Sequence, residues 1–206
     1  MNDRNALFSS IQQNNALVVV YHLYALILLL CLMIPSPAAE AAELELLELV
    51  GKPDHIIVMR HALGPGVGDP PQFRLGDCAT QRNLSPTGRE QAARIGARLR
   101  AAGLTDTKVY SSQWCRCLET AQLLRLGLVI ELPLLNSFFR SRDREREQME
   151  GLRAWIGAAD LTRPVVLVTH QVNITALSGI FPSEGEVLVL RREPAGLRVV
   201  ARFAGD

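Results

Sequence analysis

Short apolar runs alternate with amphipathic stretches along most of the chain, and this alternation predicts the fold. His55-Ile56-Ile57-Val58-Met59 is a continuous apolar run, as in a strand buried on both faces. Ser85 and Pro86 then read as the N-cap and first position of a helix whose stripe is Ala92, Ile95, Leu99 and Ala102, with Gly103 as its stop. Lys108–Ser112 predicts a second strand and Arg116–Leu124 a second helix. A third strand follows over Leu128–Leu134. Arg144–Ala158 is a charged helix with Met149, Leu152 and Ile156 inward. Pro164–Thr169 is the clearest buried strand, and a short helix follows from Asn173 to Ser178. Glu186–Leu190 and Leu197–Phe203 read as a hairpin closing around Glu193-Pro194-Ala195-Gly196. The fold class is therefore α/β, three layers, with a mainly parallel sheet and helices on both faces.

The N-terminal fifth has a different pattern. Ala16–Ile34 is a run of 19 residues, apolar except for His22. As a helix it spans about 28 Å, close to a bilayer core. Pro35 and Pro37 end it, and the small residues after them fit signal-peptidase cleavage after Ala39 or Ala42. Residues 1–42 are thus expected to be a signal peptide or membrane anchor, 43–53 a linker and 54–206 the folded domain. Both readings place the domain outside the cytoplasm, periplasmic or extracellular. Membrane contact is then confined to residues 16–34, if they are retained.

Composition narrows the partners. The 206 residues carry 22 Lys and Arg against 21 Asp and Glu. Residues 1–50 hold a net −4 and the remainder +5, and all but Lys52 and Lys108 of the basic residues are arginine. With only 5% aromatics, this suits a small anionic ligand rather than a nucleic acid. Beyond the apolar run lie Cys78, Cys115 and Cys117. In an exported chain they allow one disulfide and a spare thiol, with Cys78 bridged to Cys115 or Cys117. Their spacing does not fit a zinc site, and no metal is expected.

In open α/β sheets the ligand lies beyond the carboxyl ends of the strands. Arg60-His61 ends the first strand, Ser111-Ser112 the second with Arg116 close behind, and Thr169-His170 the strongest one. Two imidazoles and two guanidinium groups thus reach one rim from three strands. A neutral imidazole can accept a phosphoryl group and release it to water. Fixed arginines stabilise the transferring oxygens.

These residues resemble a known family. Val58-Met59-Arg60-His61 is similar to the Arg-His signature of the histidine phosphatase superfamily, the phosphoglycerate mutase-like fold. The segment Arg82–Ala92, containing Leu84-Ser85-Pro86-Thr87-Gly88-Arg89-Glu90-Gln91-Ala92, resembles its Leu-Thr-x-x-Gly-x-x-Gln-Ala element. Ser112–Ala121 resembles Ser-x-x-x-Arg-x-x-x-Thr-Ala, and Val166–His170 resembles the strand of the second histidine. The resemblance spans about Asp54 to Ser178. It implies His61 as nucleophile, Arg60 and Arg116 on the phosphoryl oxygens, His170 completing the pocket and Asn83 at the same anion. It implies a phosphomonoesterase acting on a small phosphorylated substrate through a phosphohistidine, without a cofactor. The alternatives are a phosphate-binding protein without turnover and a phosphoglycerate-type mutase.

The chain departs from the family at three points. Ala62 stands where Gly usually follows the Arg-His pair. Asn136 stands where the mutase-like branch has a Glu, and Gln171 where the acid-phosphatase branch has an Asp. Neither usual proton donor is present, which leaves Asp143, Glu145 and Glu147 as candidate general acids.

Overall fold

The first strand, β1 (His55–Arg60), carries four consecutive apolar side chains, all fully buried. Such a strand needs cover on both faces, and the sheet provides it. A computed structural model describes residues 48–49 and 52–205. The apolar run at 16–34, His22, Cys31, the candidate cleavage sites and most of the linker lie outside the described residues. Among the described residues, no helix is long and apolar enough to cross a membrane.

In chain order the elements are β1, α1 (Pro86–Ala101), β2 (Val109–Ser111), α2 (Cys115–Leu124), β3 (Val129–Glu131), α3 (Glu145–Ala158), β4 (Val165–Thr169), α4 (Gln171–Ser178), β5 (Val187–Glu193) and β6 (Gly196–Phe203). The sheet order is β3-β2-β4-β1-β5-β6. β1 and β2 each pair parallel with β4, and β3 pairs parallel with β2. β5 pairs antiparallel with β1 and β6 with β5, with a register shift at Val189/Leu190. The sheet is thus mixed: four parallel strands with an antiparallel hairpin on one edge.

Alternation of side chains along each strand divides the core in two. Ile57, Met59, Val166 and Val168 pack with Ile95 and Leu99 of α1 and Ala121 and Leu124 of α2. Ile56, Val58, Val165 and Leu167 face the other way, toward Leu152 and Ile156 of α3 and Ile174 of α4. On the first face α1 and α2 cross closely. A Cβ at Gly96 would lie 2.3 Å from the Leu124 carbonyl oxygen, so only glycine fits there.

The expected elements are present with shifted ends. Ser85 caps α1 through its Oγ, which accepts from the Gly88 amide at 2.9 Å. β3 stops at Glu131 instead of Leu134, because Pro133 cannot donate to a ladder and opens a 3-10 turn, Pro133–Leu135. α3 begins one residue later than expected, after a 3-10 turn at Arg142–Arg144. The closing strands run further toward their turn than the apolar pattern implied. Arg60 pairs with Thr169 and Ser111 with Val168. The residues that follow each strand, His61, Ser112 and His170, therefore emerge along one rim.

Candidate active site

Beyond that rim lies a cavity of about 670 Å³, lined by Arg60, His61, Asp69, Arg82, Arg116 and His170 among others. Such a volume suits a small organic ligand. β1 delivers Arg60 and His61. The first turn of α2 delivers Arg116, and β4 delivers His170, which is the N-cap of α4. The two imidazole rings stand 5.6 Å apart between centroids, inclined at 67°.

The hydrogen bonds fix the tautomer of each ring. His61 Nδ1 lies 2.8 Å from the Ala62 carbonyl oxygen, which can only accept, so Nδ1 carries the proton. Its Nε2 keeps the lone pair a nucleophile needs. The His61 amide also donates to the Thr169 carbonyl at 2.9 Å, tying β1 to β4 at the site. His170 is wired the other way round. Arg116 Nη2 donates to its Nδ1 at 3.3 Å, and its Nε2–H then donates to Ser112 Oγ at 2.9 Å. Ser112 Oγ passes the chain on to Asn136 Oδ1 at 3.2 Å, which also accepts from the Gln113 amide.

Both rings are nearly fully buried. Burial holds the His61 imidazole well below its ordinary protonation range, and Arg116, Arg82 and Arg60 add to the effect. Burial does the same to His170, reinforced by Arg116 and His61. Both rings are neutral at pH 7. Burial also lowers the Arg60 guanidinium from its usual value.

The guanidinium groups are held by carboxylates. Asp69 spans Arg116 with two contacts, Oδ1 to Nη1 at 2.6 Å and Oδ2 to Nη2 at 3.2 Å, and Trp114 Nε1 donates to Oδ2 at 3.0 Å. Glu184 sits between Arg60 and Arg82, at 3.4 and 3.3 Å. The Nε–H groups of Arg60, Arg82 and Arg116 are buried without an acceptor, a costly arrangement at a place where all three side chains border one cavity.

Not every sequence-predicted residue reaches the cavity. Asn83 turns away and donates through Nδ2 to the Cys78 carbonyl at 2.7 Å. Its neighbour Arg82 lines the cavity in its place, because successive side chains of an extended segment point to opposite sides. Asp143 and Glu145 border a separate open depression beside α3. The turn at Arg142–Arg144 sends Arg142 and Arg144 to the cavity and these carboxylates outward, where Glu145 pairs with Arg142 at 3.4 Å. Glu147 is exposed on α3.

The N-terminus of α2 is also occupied by protein groups. Trp114 N donates to Ser112 Oγ and Cys115 N to Gln81 Oε1. α4 has no side-chain cap, and its Gln171 and Val172 line the cavity. Cys78 and Cys115 form the disulfide. Cys117 is free and buried against His170, and burial raises its thiol to about 12, so it stays protonated.

Asp69, Arg82 and Ser112 are the site residues that the sequence motifs did not single out by role. Arg82 lies at the start of the Arg82–Ala92 segment, but its direction depends on the loop. Asp69 had only its Gly/Pro-rich surroundings as a signal.

Comparison with known proteins supports the fold. The family model "Histidine phosphatase superfamily (branch 1)" matches residues 56–155. Over that segment the chain is similar to the histidine phosphatase superfamily. Its fold is similar to that of a Mycobacterium tuberculosis protein, open reading frame Rv3214, at 18% identity and a TM-score of 0.57. That match covers 75% of this chain and 100% of the other. It is similar also to an Escherichia coli putative alpha-ribazole-5'-P phosphatase, at 15% identity and a TM-score of 0.56, covering 75% and 98%. The protein histidine phosphatase SixA, solved with tungstate, matches at 14% identity and a TM-score of 0.52, covering 73% and 97%. No curated protein matches the chain by sequence. The chain has the Arg60-His61 pair, Arg116 and His170 around one cavity.

Proposed function

We propose that this chain is a phosphomonoesterase of the histidine phosphatase superfamily that works through a phosphohistidine at His61. The observation that carries the proposal is the Nδ1–H bond to the Ala62 carbonyl. It leaves Nε2 unprotonated among three guanidinium groups that border the same cavity. Nε2 attacks phosphorus, and the bond to the leaving oxygen breaks. Arg60, Arg82 and Arg116 hold the negative charge on the equatorial oxygens. Water then attacks the phosphohistidine, and His61 is released as neutral imidazole with the same tautomer. His170, fixed by Arg116 and Ser112, donates or accepts no proton in either step and serves as a rigid wall.

Tungstate is a tetrahedral oxyanion, and SixA has been solved with it bound. A tetrahedral anion therefore has a precedent on this fold. The substrate end of the cavity is bordered by Phe139, Phe181, Arg140 and Arg142, which fits a small phosphate ester whose remainder has an apolar surface.

His61→Ala is expected to abolish phosphate release from 4-nitrophenyl phosphate, by at least a factor of about 1,000. Full turnover in that variant would end the proposal. A phosphoglycerate-type mutase would move the phosphoryl group within its substrate instead of releasing it, so the same assay separates the two.

We further propose that the domain works outside the cytoplasm. The apolar run at residues 16–34 and the Cys78–Cys115 bridge support this. Rapid alkylation of intact cells is expected to find both thiols already oxidised; free thiols there would contradict it.

A further inference from the structure

Neither usual proton donor of the family is present, since Asn136 and Gln171 stand in those places. Asn136 is also fully committed, its Oδ1 to Ser112 and Gln113 and its Nδ2 to Gln113 Oε1. Asp143 and Glu145 border a different depression. Among the described residues, Asp69 is the single carboxylate lining the catalytic cavity.

Its position there is unusual for a donor. Both carboxylate oxygens lie on the fork of Arg116, where the two oxygens of a phosphoryl group would bind. The Arg82 amide adds a contact at 3.3 Å. Substrate and Asp69 thus compete for one guanidinium. Gly66 and Gly68 both have positive φ, at +77° and +73°, a region open to glycine, and Val67 between them is 90% exposed. Arg140 holds the loop from its far side through the carbonyl oxygens of Asp69 and Pro70, so a displaced side chain stays in the cavity.

We propose that Asp69 is the proton donor to the leaving group, resting on Arg116 in the free enzyme and displaced from it by the incoming phosphoryl group. This rests on the phosphohistidine reading above. Burial disfavours the Asp69 carboxylate, but the hydrogen bonds and charge of Arg116, with Trp114, outweigh it and keep Asp69 ionised in the free enzyme. Once the phosphoryl group takes Arg116, Asp69 loses that cation and faces an anion, and it takes up a proton. As the bond from His61 Nε2 to phosphorus forms and the ester P–O bond breaks, that proton passes to the leaving oxygen. In the second half the Asp69 carboxylate takes a proton from the attacking water as the P–N bond breaks. Phosphate departs, Asp69 releases the proton to solvent, and the carboxylate returns to Arg116.

The test compares two leaving groups in Asp69→Asn. 4-Nitrophenolate departs without protonation, whereas an alkoxide does not. The ratio of kcat/KM for 4-nitrophenyl phosphate to that for glycerol phosphate is expected to rise about 100-fold over the unmodified enzyme. A ratio within about threefold of the unmodified value overturns the assignment, as does a loss confined to the nitrophenyl ester. Should Asp69→Asn turn over neither ester, the pH profile of the unmodified enzyme decides. Glycerol phosphate hydrolysis is expected to show a basic limb that nitrophenyl phosphate hydrolysis lacks, and identical limbs overturn the proposal. His61→Ala is assayed alongside: activity there rejects the phosphohistidine, while an inactive His61→Ala leaves the Asp69 result to be read on its own.

Discussion

At the scale of single residues, His61 and His170 tie folding to pH. Both are buried and neutral, with protonation held well below the ordinary value of 6.5. In the unfolded chain each takes a proton near pH 6.5. Between the folded and unfolded values the unfolded state therefore binds more protons, and stability is complete above about pH 6.5 and falls as pH drops below it. Each histidine contributes a slope of at most about 1.4 kcal/mol per pH unit. Urea unfolding at pH 7.5 and pH 5 is expected to show the lower midpoint at pH 5, with a shallower dependence in His61→Asn. A midpoint that holds steady or rises toward pH 5 would contradict the neutral pair. The same scale shows what could be read from the sequence. Arg60, His61 and His170 follow strands whose direction the apolar pattern fixes, and Arg116 sits in the first turn of a helix after such a strand. Arg82 and Asn83 lie on a loop, where one step of alternation exchanges their roles. Asp69 owes its place to the glycine turns on its loop, which the sequence marks as a bend without saying which way it aims.

At the scale of elements, the Cys78–Cys115 bridge joins the loop after β1 to the start of α2, across a separation of 37 residues. The same junction is held by the Cys115 amide on Gln81 Oε1. The loop carries Asp69 and Arg82, and the helix carries Arg116, so the bridge sets one wall of the site against another. Reduction is expected to cost about 2–4 kcal/mol of stability by freeing the unfolded chain. Urea unfolding with and without reductant measures it; coincident transitions would mean that the bridge constrains nothing. The existence and order of the elements were legible because each apolar run or stripe had one burial-compatible period. Their ends were less so. Pro133 cut β3 short, and the turn at Arg142–Arg144 rotated the start of α3, which moved Asp143 and Glu145 away from the cavity. Pattern alone does not show such a rotation.

At the scale of the whole molecule, the sheet explains why distant segments meet. β1, β2 and β4 run parallel and in register, so the residues after each strand share one rim although more than a hundred positions separate His61 from His170. Parallel strands require covered faces, and the two apolar clusters supply them. The antiparallel pair β5 and β6 closes the edge next to β1, and the turn before it brings Glu184 to Arg60 and Arg82. The fold class was readable because it follows from alternation of elements. The convergence of three arginines and two histidines was readable only in part, because Arg82 reaches it from a loop.

The central claim is that His61 Nε2 takes the phosphoryl group with Arg60, Arg116 and His170 around it. A crystal structure with vanadate, which adopts the geometry of the transferring phosphoryl group, tests this most directly. Vanadium is expected bonded to His61 Nε2, with its equatorial oxygens on Arg60 and Arg116 and beside His170. Vanadate bonded to His170, seated elsewhere, or missing from the cavity at saturating concentration would contradict the account.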